Sequence, residues 1–454
     1  MDKNLSYLSI ERPVKYLRVI GIYRLDENSS KIYKYFHTIY MRIVLGVLLL
    51  YTTQQILKVY EVRSNVDKVM DTMFLLLTHS DCIYKVVVLW KKADQIEGFL
   101  HVMKGSIFNQ EEPEHKRILL NTIRKTILLL HIYNYTALFT CFLWVLHPTI
   151  LHIQGKKIEL PIWLPFGFNS NPQYYMSVMY VWIVTSLVAF CNTTLDVFIT
   201  FSLEQCRAQV SILRFNLENL VKKCKEEANY SSVTFNHILE RRFYKILVHH
   251  QKIVINSIAM KVNLFFRTVD EIQDIFGGAL FYQFLVGSWI LCTSAYRIVN
   301  VNPVTIEFVS MTTYIMCIIT ELLFYCYYGN ELAQESEKIM QSACAMDWIE
   351  MPRHFQKSLI IFMERIKRPI QPMAGSFVPL SNSTLISVIK TFIDIMKKST
   401  TKCTTRKFVA HMHLSPIEWL GFLYCPVNYN TEINFLFHAM GSTPIAVTGI
   451  IEKP

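Results

Sequence analysis

The sequence predicts an all-α protein that crosses a lipid bilayer seven times, with its amino end in the cytoplasm, and three observations carry that expectation. Hydrophobic residues make up 52% of the 454-residue chain against 18% charged residues, and mean hydropathy is +0.26, a balance unlike that of a soluble domain. The charges are bunched, and between them lie apolar stretches of about twenty residues, which is what a helix needs to cross about 30 Å of hydrocarbon. About thirty Lys and Arg collect on alternate connecting segments and about five on the others, which orients the chain by the positive-inside bias.

Taken in order, residues 1–37 form a polar, basic leader with Lys3, Arg12, Lys15 and Arg18. It has no short apolar core ahead of a small-residue cleavage site, so the first span is expected to do the targeting. That span is about 38–59, centred on Ile43 to Leu50. The second, about 69–90, ends at Trp90-Lys91-Lys92, an aromatic beside two positive charges as at a membrane interface. Asp71, His79, Asp81 and Lys85 lie inside it and should face protein or a watery cavity, because polar groups in hydrocarbon are costly. The third span is about 124–147. The loop through 158–175 holds Pro161, Pro165 and Pro172 among aromatics, which favours a folded lid. The fourth span, from about Tyr174 to Phe201, is expected to continue into water past Arg207 and Glu218. Within 202–270 the stripes Leu213, Leu217, Leu220 and Leu239, Tyr244, Leu247 have helical spacing and need partner faces, so two helices should pack as a cytoplasmic bundle. The fifth span, about 275–297, contains Gly277-Gly278, read as a close-packing spot. A tight turn at Val299 to Pro303 leads to the sixth, about 304–328, and a seventh should open near Ser376 and run past Phe392. The organisation is therefore a leader (1–37), six spans with their extensions (38–330), a cytoplasmic segment (331–375), a last helix (376–396) and a tail (397–454).

Several function classes are disfavoured. The net charge of +11 is spread between spans rather than forming one basic face, so no nucleic-acid partner is expected. The 11 cysteines include no Cys-x-x-Cys and read as small hydrophobes in helices, with one outer disulfide left open. There is no His-Glu-x-x-His, Gly-x-Ser-x-Gly or phosphate-binding glycine loop, so no enzyme activity, metal or cofactor is expected. Adjacent His249 and His250 point to different helix faces and are read as surface histidines. Under this topology the sequons at Asn4, Asn28 and Asn229 lie inside the cell.

Two blocks near the carboxyl end carry more specific information. The first runs from Phe324 through Tyr325-Cys326-Tyr327-Tyr328-Gly329-Asn330 to Leu332, and the second joins Arg368-Pro369, Met373 to Phe377 and Leu380 to Leu385, ending Ile389-Lys390-Thr391-Phe392. Together they resemble the carboxyl-terminal signature of the insect odorant receptors. The resemblance implies that the first block closes the sixth helix, with Gly329-Asn330 as a cap or kink, and that the second opens the seventh. It assigns Tyr325, Cys326, Gly329, Asn330, Ser336, Trp348 and Phe377 to an anchor through which subunits assemble. Leu380, Ser381, Thr384 and Ile389 fall on a pore helix. It further implies a tuning subunit in the plasma membrane of olfactory sensory neurons, in contact with membrane lipid. That subunit joins the odorant receptor co-receptor in a heterotetramer and gates a non-selective cation channel. The related gustatory receptors remain an alternative, as does a G-protein-coupled receptor, which would need the leader outside and an Asp-Arg-Tyr-like triplet.

The ligand implied is a small, apolar, volatile molecule, which suits a cavity lined by aromatics and methionines. The family places it in the outer halves of the second, third, fourth and sixth spans. At that depth lie Met70, Met73 and Phe74; Phe139, Phe142 and Leu143; Met176, Met179 and Tyr180; and Met311, Thr312 and Tyr314. The resemblance breaks after Phe392, where Asp394, Lys397 and Lys398 are followed by more than fifty residues without helical or strand periodicity. An altered exon junction or read-through is the expected origin of residues from about 393 onward, to be tested by sequencing the transcript.

Overall fold

The computed structural model describes residues 4–26, 29–106, 108–109, 112–155, 160–165, 171–230, 233–253 and 268–400. The part of the tail from 401 onward lies outside the described residues, as do Asn28 and much of the expected lid. The leader contains helix α1 (Leu5–Val19), after which come α2 (Lys31–Glu61), α3 (Val66–Lys91), α4 (Ala93–Met103), α5 (Pro113–Ile153) and α6 (Asn171–Glu218). Then follow α7 (Leu220–Tyr230), α8 (Phe235–Ile253), α9 (Thr268–Asn300), α10 (Ile306–Ala345), α11 (Arg353–Ile366), strands β1 (Met373–Ala374) and β2 (Val378–Pro379), and α12 (Asn382–Thr400).

Helix starts follow local chemistry. Ser30, Asn65 and Thr305 each accept a hydrogen bond from the backbone N–H three residues on, capping α2, α3 and α10, and α5 opens on Pro113, whose missing N–H is not needed there. Among the described residues six helices, α2, α3, α5, α6, α9 and α10, are long and apolar enough to cross a membrane. The fold is that of an all-α polytopic membrane protein. The last helix, α12, is 19 residues long and carries Lys390, Asp394, Lys397 and Lys398, so it does not match the other six in apolarity. At 48 residues α6 spans about 70 Å, more than twice the hydrocarbon thickness, and its inner half runs on beside α1, α5 and α8.

The helices expected within residues 202–270 pack against one another. α7 and α8 form a hairpin clasped by Glu227, which accepts from Arg242 Nε at 2.7 Å and also pairs with Arg241. Phe243 of α8 packs edge-on against Phe355 and Phe362 of α11 at 4.9 and 6.0 Å. The two histidines are not on the surface. His249 is 1% exposed, its Nε2 3.0 Å from Gln209 Oε1 of α6, and His250 packs against Phe362 at 5.1 Å. Their faces do diverge, but α6 and α11 cover one each.

Two differences concern the carboxyl-terminal blocks. The last helix begins at Asn382 rather than near Ser376, because residues 373–379 form a small antiparallel hairpin around Gly375, whose φ of 61° suits glycine. The hairpin is pinned to α9 where Gly375 N–H donates to Gly277 O at 2.7 Å, although a Cβ at Gly277 would meet Gly375 N at an ordinary 3.5 Å, so the spot does not require a glycine. Gly329 is neither cap nor kink, since α10 continues unbroken to Ala345. A Cβ there would lie 2.5 Å from Leu380 Cβ and 2.7 Å from its carbonyl oxygen, so the glycine lets the chain entering α12 press against α10.

Candidate ligand cavity and the buried charge network

A cavity of about 480 Å³ opens at the end of the bundle remote from α7, α8 and α11. Its walls come from the last turns of α2 and α9, the first turns of α3, α6 and α10, and the end of α5, with Leu160 and Pro161 from the loop above. The described part of that loop is folded: Leu160 and Ile162 are buried, and Trp163 N–H donates to Gln54 O at 3.3 Å. The volume is that of a small-molecule site. Its inner wall is apolar, with Phe74 and Trp144 in edge-to-face contact at 5.2 Å beside Val178, Val181 and Met311. Its mouth is charged. Arg297 pairs with Asp71 and, at 3.0 Å, with Glu307, while His147 Nε2 lies 4.0 Å from Glu307 and Lys58 bonds Glu61 at 3.1 Å.

Of the residues expected here, Phe74 and Met311 line the cavity. Tyr314 is buried just beneath, bonded through its hydroxyl to Thr78 Oγ1 at 2.7 Å and packed on Phe74 at 5.4 Å. Met70 and Leu143 are buried in packing, Met73 is half-buried, and Thr312 turns its hydroxyl to Phe308 O. Tyr180 is half-buried and donates to Gln54 Oε1 at 2.8 Å. Phe139, Phe142, Met176 and Met179 stand on outward faces, between 49% and 72% exposed, away from the cavity lining. The mouth residues Lys58, Asp71, Arg297 and Glu307 were not anticipated as a set. The available signal was a charge within one helical turn of a span end.

About three turns deeper along the helices, still within the bundle, lies a cluster of ionisable groups none of which is more than 2% exposed. Lys85 Nζ of α3 is 2.5 Å from Asp196 Oδ1 of α6, 2.8 Å from Asp81 Oδ2 and 3.0 Å from Glu321 Oε1 of α10, and it donates to Asn192 Oδ1 at 3.1 Å. Tyr325 completes it by donating to Asp196 Oδ1 at 2.7 Å. Asp81, His79 and Lys85 face protein, as expected, and His79 Nδ1 lies 2.6 Å from Gln55 Oε1. Asp196 and Glu321 were missed although each is a carboxylate well inside an apolar span, the same kind of signal that marks Lys85. Among the described residues no group of His, Cys, Asp or Glu is spaced to hold a metal ion.

Tyr325 and Cys326 are fully buried between α10 and its neighbours. Ser336 accepts from Ile370 N–H at 2.9 Å, Trp348 is half-buried, Asn330 is half-buried on α10, and Phe377 is exposed with its ring 5.7 Å from Phe281. Leu380 is buried on Gly329, Ser381 Oγ accepts from Thr384 N–H at 3.3 Å at the start of α12, and Ile389 is half-buried against the bundle.

This architecture has known relatives. The model of the 7tm odorant receptor family matches residues 65–393, well over half of the chain. The chain belongs to the insect odorant receptor family. Odorant receptor Or1 of Anopheles gambiae is 21% identical to this odorant receptor over 358 residues, covering 77% of this chain and 83% of that one. Odorant receptor 94a of Drosophila melanogaster is 20% identical over 336 residues, covering 72% and 79%. The solved structure of the insect olfactory receptor OR5 from Machilis hrabei in complex with eugenol has a TM-score of 0.69 at 13% identity, covering 86% of this chain and 97% of that one. At that identity the likeness concerns the fold. The family match stops at residue 393, where the carboxyl-terminal departure begins.

Proposed function

We propose that this odorant receptor is a tuning subunit that binds a small volatile molecule in the cavity and, in a heterotetramer with the odorant receptor co-receptor, opens a non-selective cation channel at the plasma membrane of olfactory sensory neurons. The single observation supporting this most is the roofed cavity between six helices, with Phe74, Trp144 and Met311 in its wall. The solved Machilis receptor was captured with eugenol, a molecule of suitable size for such a space. A ligand opens the channel by binding the open arrangement more tightly than the closed one, and a few kcal/mol of difference is enough. In this reading α12 contributes to the pore and the α7–α8–α11 cluster lies in the cytoplasm. The test is to express the chain with and without the co-receptor and record odorant-evoked cation current. Current that requires both subunits is expected, and its absence despite surface expression of both rejects the proposal.

A further inference from the structure

Many arginines on the outside of the bundle are matched by a carboxylate: Arg18 pairs with Asp26, Arg117 with Glu114 and Arg207 with Glu204. Arg12 and Lys15 of α1 and Arg124 of α5 differ. All three are exposed, and among the described residues none has an ion-pair or hydrogen-bond partner for its side chain. Helical spacing puts Leu8, Arg12, Lys15 and Val19 on one exposed face of α1. That helix lies alongside α5, with Leu5 in one cluster with Leu119 and Ile123, and the Tyr16 ring 6.4 Å from that of His131. Arg12, Lys15 and Arg124 fall between those two contacts. Their depth follows from α5, which carries no Asp, Glu, Lys or Arg between Lys125 and His147 and stands Leu128, Ile132, Tyr135, Phe139 and Phe142 outward. Arg124 is about 35 Å along that helix from His147 on the cavity wall, a little more than the hydrocarbon thickness of about 30 Å. The three cations thus stand at the bilayer boundary opposite the cavity mouth, with Leu128, Ile132 and Val19 just inside it.

We infer that the outer faces of α1 and α5 together hold an anionic phospholipid, its phosphate on Arg12, Lys15 and Arg124 and its acyl chains along Leu128, Ile132 and Val19. This goes beyond the odorant reading and does not depend on it. Positive-inside bias places cations on one side of a membrane, but it does not require them to gather on two abutting helices, unpaired, directly beneath an exposed apolar strip. An acidic lipid needs both features at once. Guanidinium groups offer paired donors to phosphate oxygens, and the lysine adds a point charge. Glu11, also exposed, is the only acidic residue of α1, so the patch stays positive.

The test titrates the purified full chain, in an uncharged detergent, with dioctanoyl phosphatidylglycerol and with dioctanoyl phosphatidylcholine, and reads binding by thermophoresis. Phosphatidylglycerol is expected to bind at least about tenfold more tightly. The double variant Arg12→Gln with Arg124→Gln should weaken it at least about tenfold and leave phosphatidylcholine unchanged. Arg353→Gln with Lys357→Gln removes the same charge from exposed sites on α11 and should change neither by more than about twofold. Lysine at positions 12 and 124 keeps the charge and should restore most of the binding. On the unaltered chain, where misfolding is no concern, raising salt from about 0.15 to about 1 M should weaken phosphatidylglycerol alone. Equal affinity for the two lipids, or binding indifferent to salt, overturns the inference. So does an equal loss in the two glutamine pairs, which marks a response to net charge only. Displacement by glycerophosphoglycerol, the same head without chains, also overturns it, since the ligand is then a free phosphate ester rather than a lipid.

Discussion

Lys85 sits where a single side chain decides whether the bundle holds. Its ammonium faces three carboxylates on three helices in a place almost without solvent. Burying such a set is costly, and deleting one partner of a buried ionic group typically costs about 3–5 kcal/mol because the rest is left uncompensated. Lys85→Met is therefore expected to reduce folded receptor at the cell surface several-fold, with Lys85→Arg less damaging, as measured by surface labelling. His250 makes a second residue-scale prediction. Burial beside Phe362, with Arg365 nearby, lowers its imidazole from 6.5 to about 4. Because the folded state binds the proton less well than the unfolded one, this contribution is complete above about pH 6.5 and declines as pH falls towards 4, by up to about 3 kcal/mol. Thermal unfolding of the purified receptor should show that decline, and His250→Phe should flatten it.

At the scale of elements, the contact between α10 and the chain entering α12 leaves no room for a side chain at Gly329. Gly329→Ala places a methyl group inside Leu380, whose backbone carbonyl cannot rotate away, and overpacking of this kind costs about 1–3 kcal/mol. Gly329→Ala should lower the unfolding temperature, and because the atoms it meets are the Cβ and the backbone carbonyl of Leu380, Leu380→Ala in the same chain should not recover the loss whereas Leu380→Gly should recover part of it. Gly329 also shows why this element was only half legible in the sequence. A glycine beside an asparagine at the end of an apolar run reads as a helix terminus, whereas its purpose is set by a partner about fifty residues later. The cavity shows the same limit. Span positions follow from apolar length, but in a membrane both the lipid face and the cavity face are apolar, so periodicity does not separate Phe74 from Phe139 or Met311 from Met176. The polar residues of the second span were legible because hydrocarbon tolerates them on one face only.

For the whole molecule, the distribution of Lys and Arg predicts the orientation in the membrane. With the α7–α8–α11 cluster in the cytoplasm, Cys344 at the end of α10, exposed there, should react with a membrane-impermeant maleimide only after the cells are permeabilised. Asn229, at the end of α7, should remain free of glycan despite its sequon, as read by gel mobility after glycosidase treatment. Labelling of Cys344 on intact cells would invert the arrangement. Finally, α10 is an uninterrupted spar of 40 residues that bears Met311 on the cavity, Glu321 in the charge cluster and Gly329 against Leu380. With no joint along it, a swing of about 2° pivoting near Met311 carries Gly329 sideways by about 1 Å over the intervening 27 Å or so. A guest that wedges the outer end thus needs no relay of side-chain flips to nudge the root of the last helix.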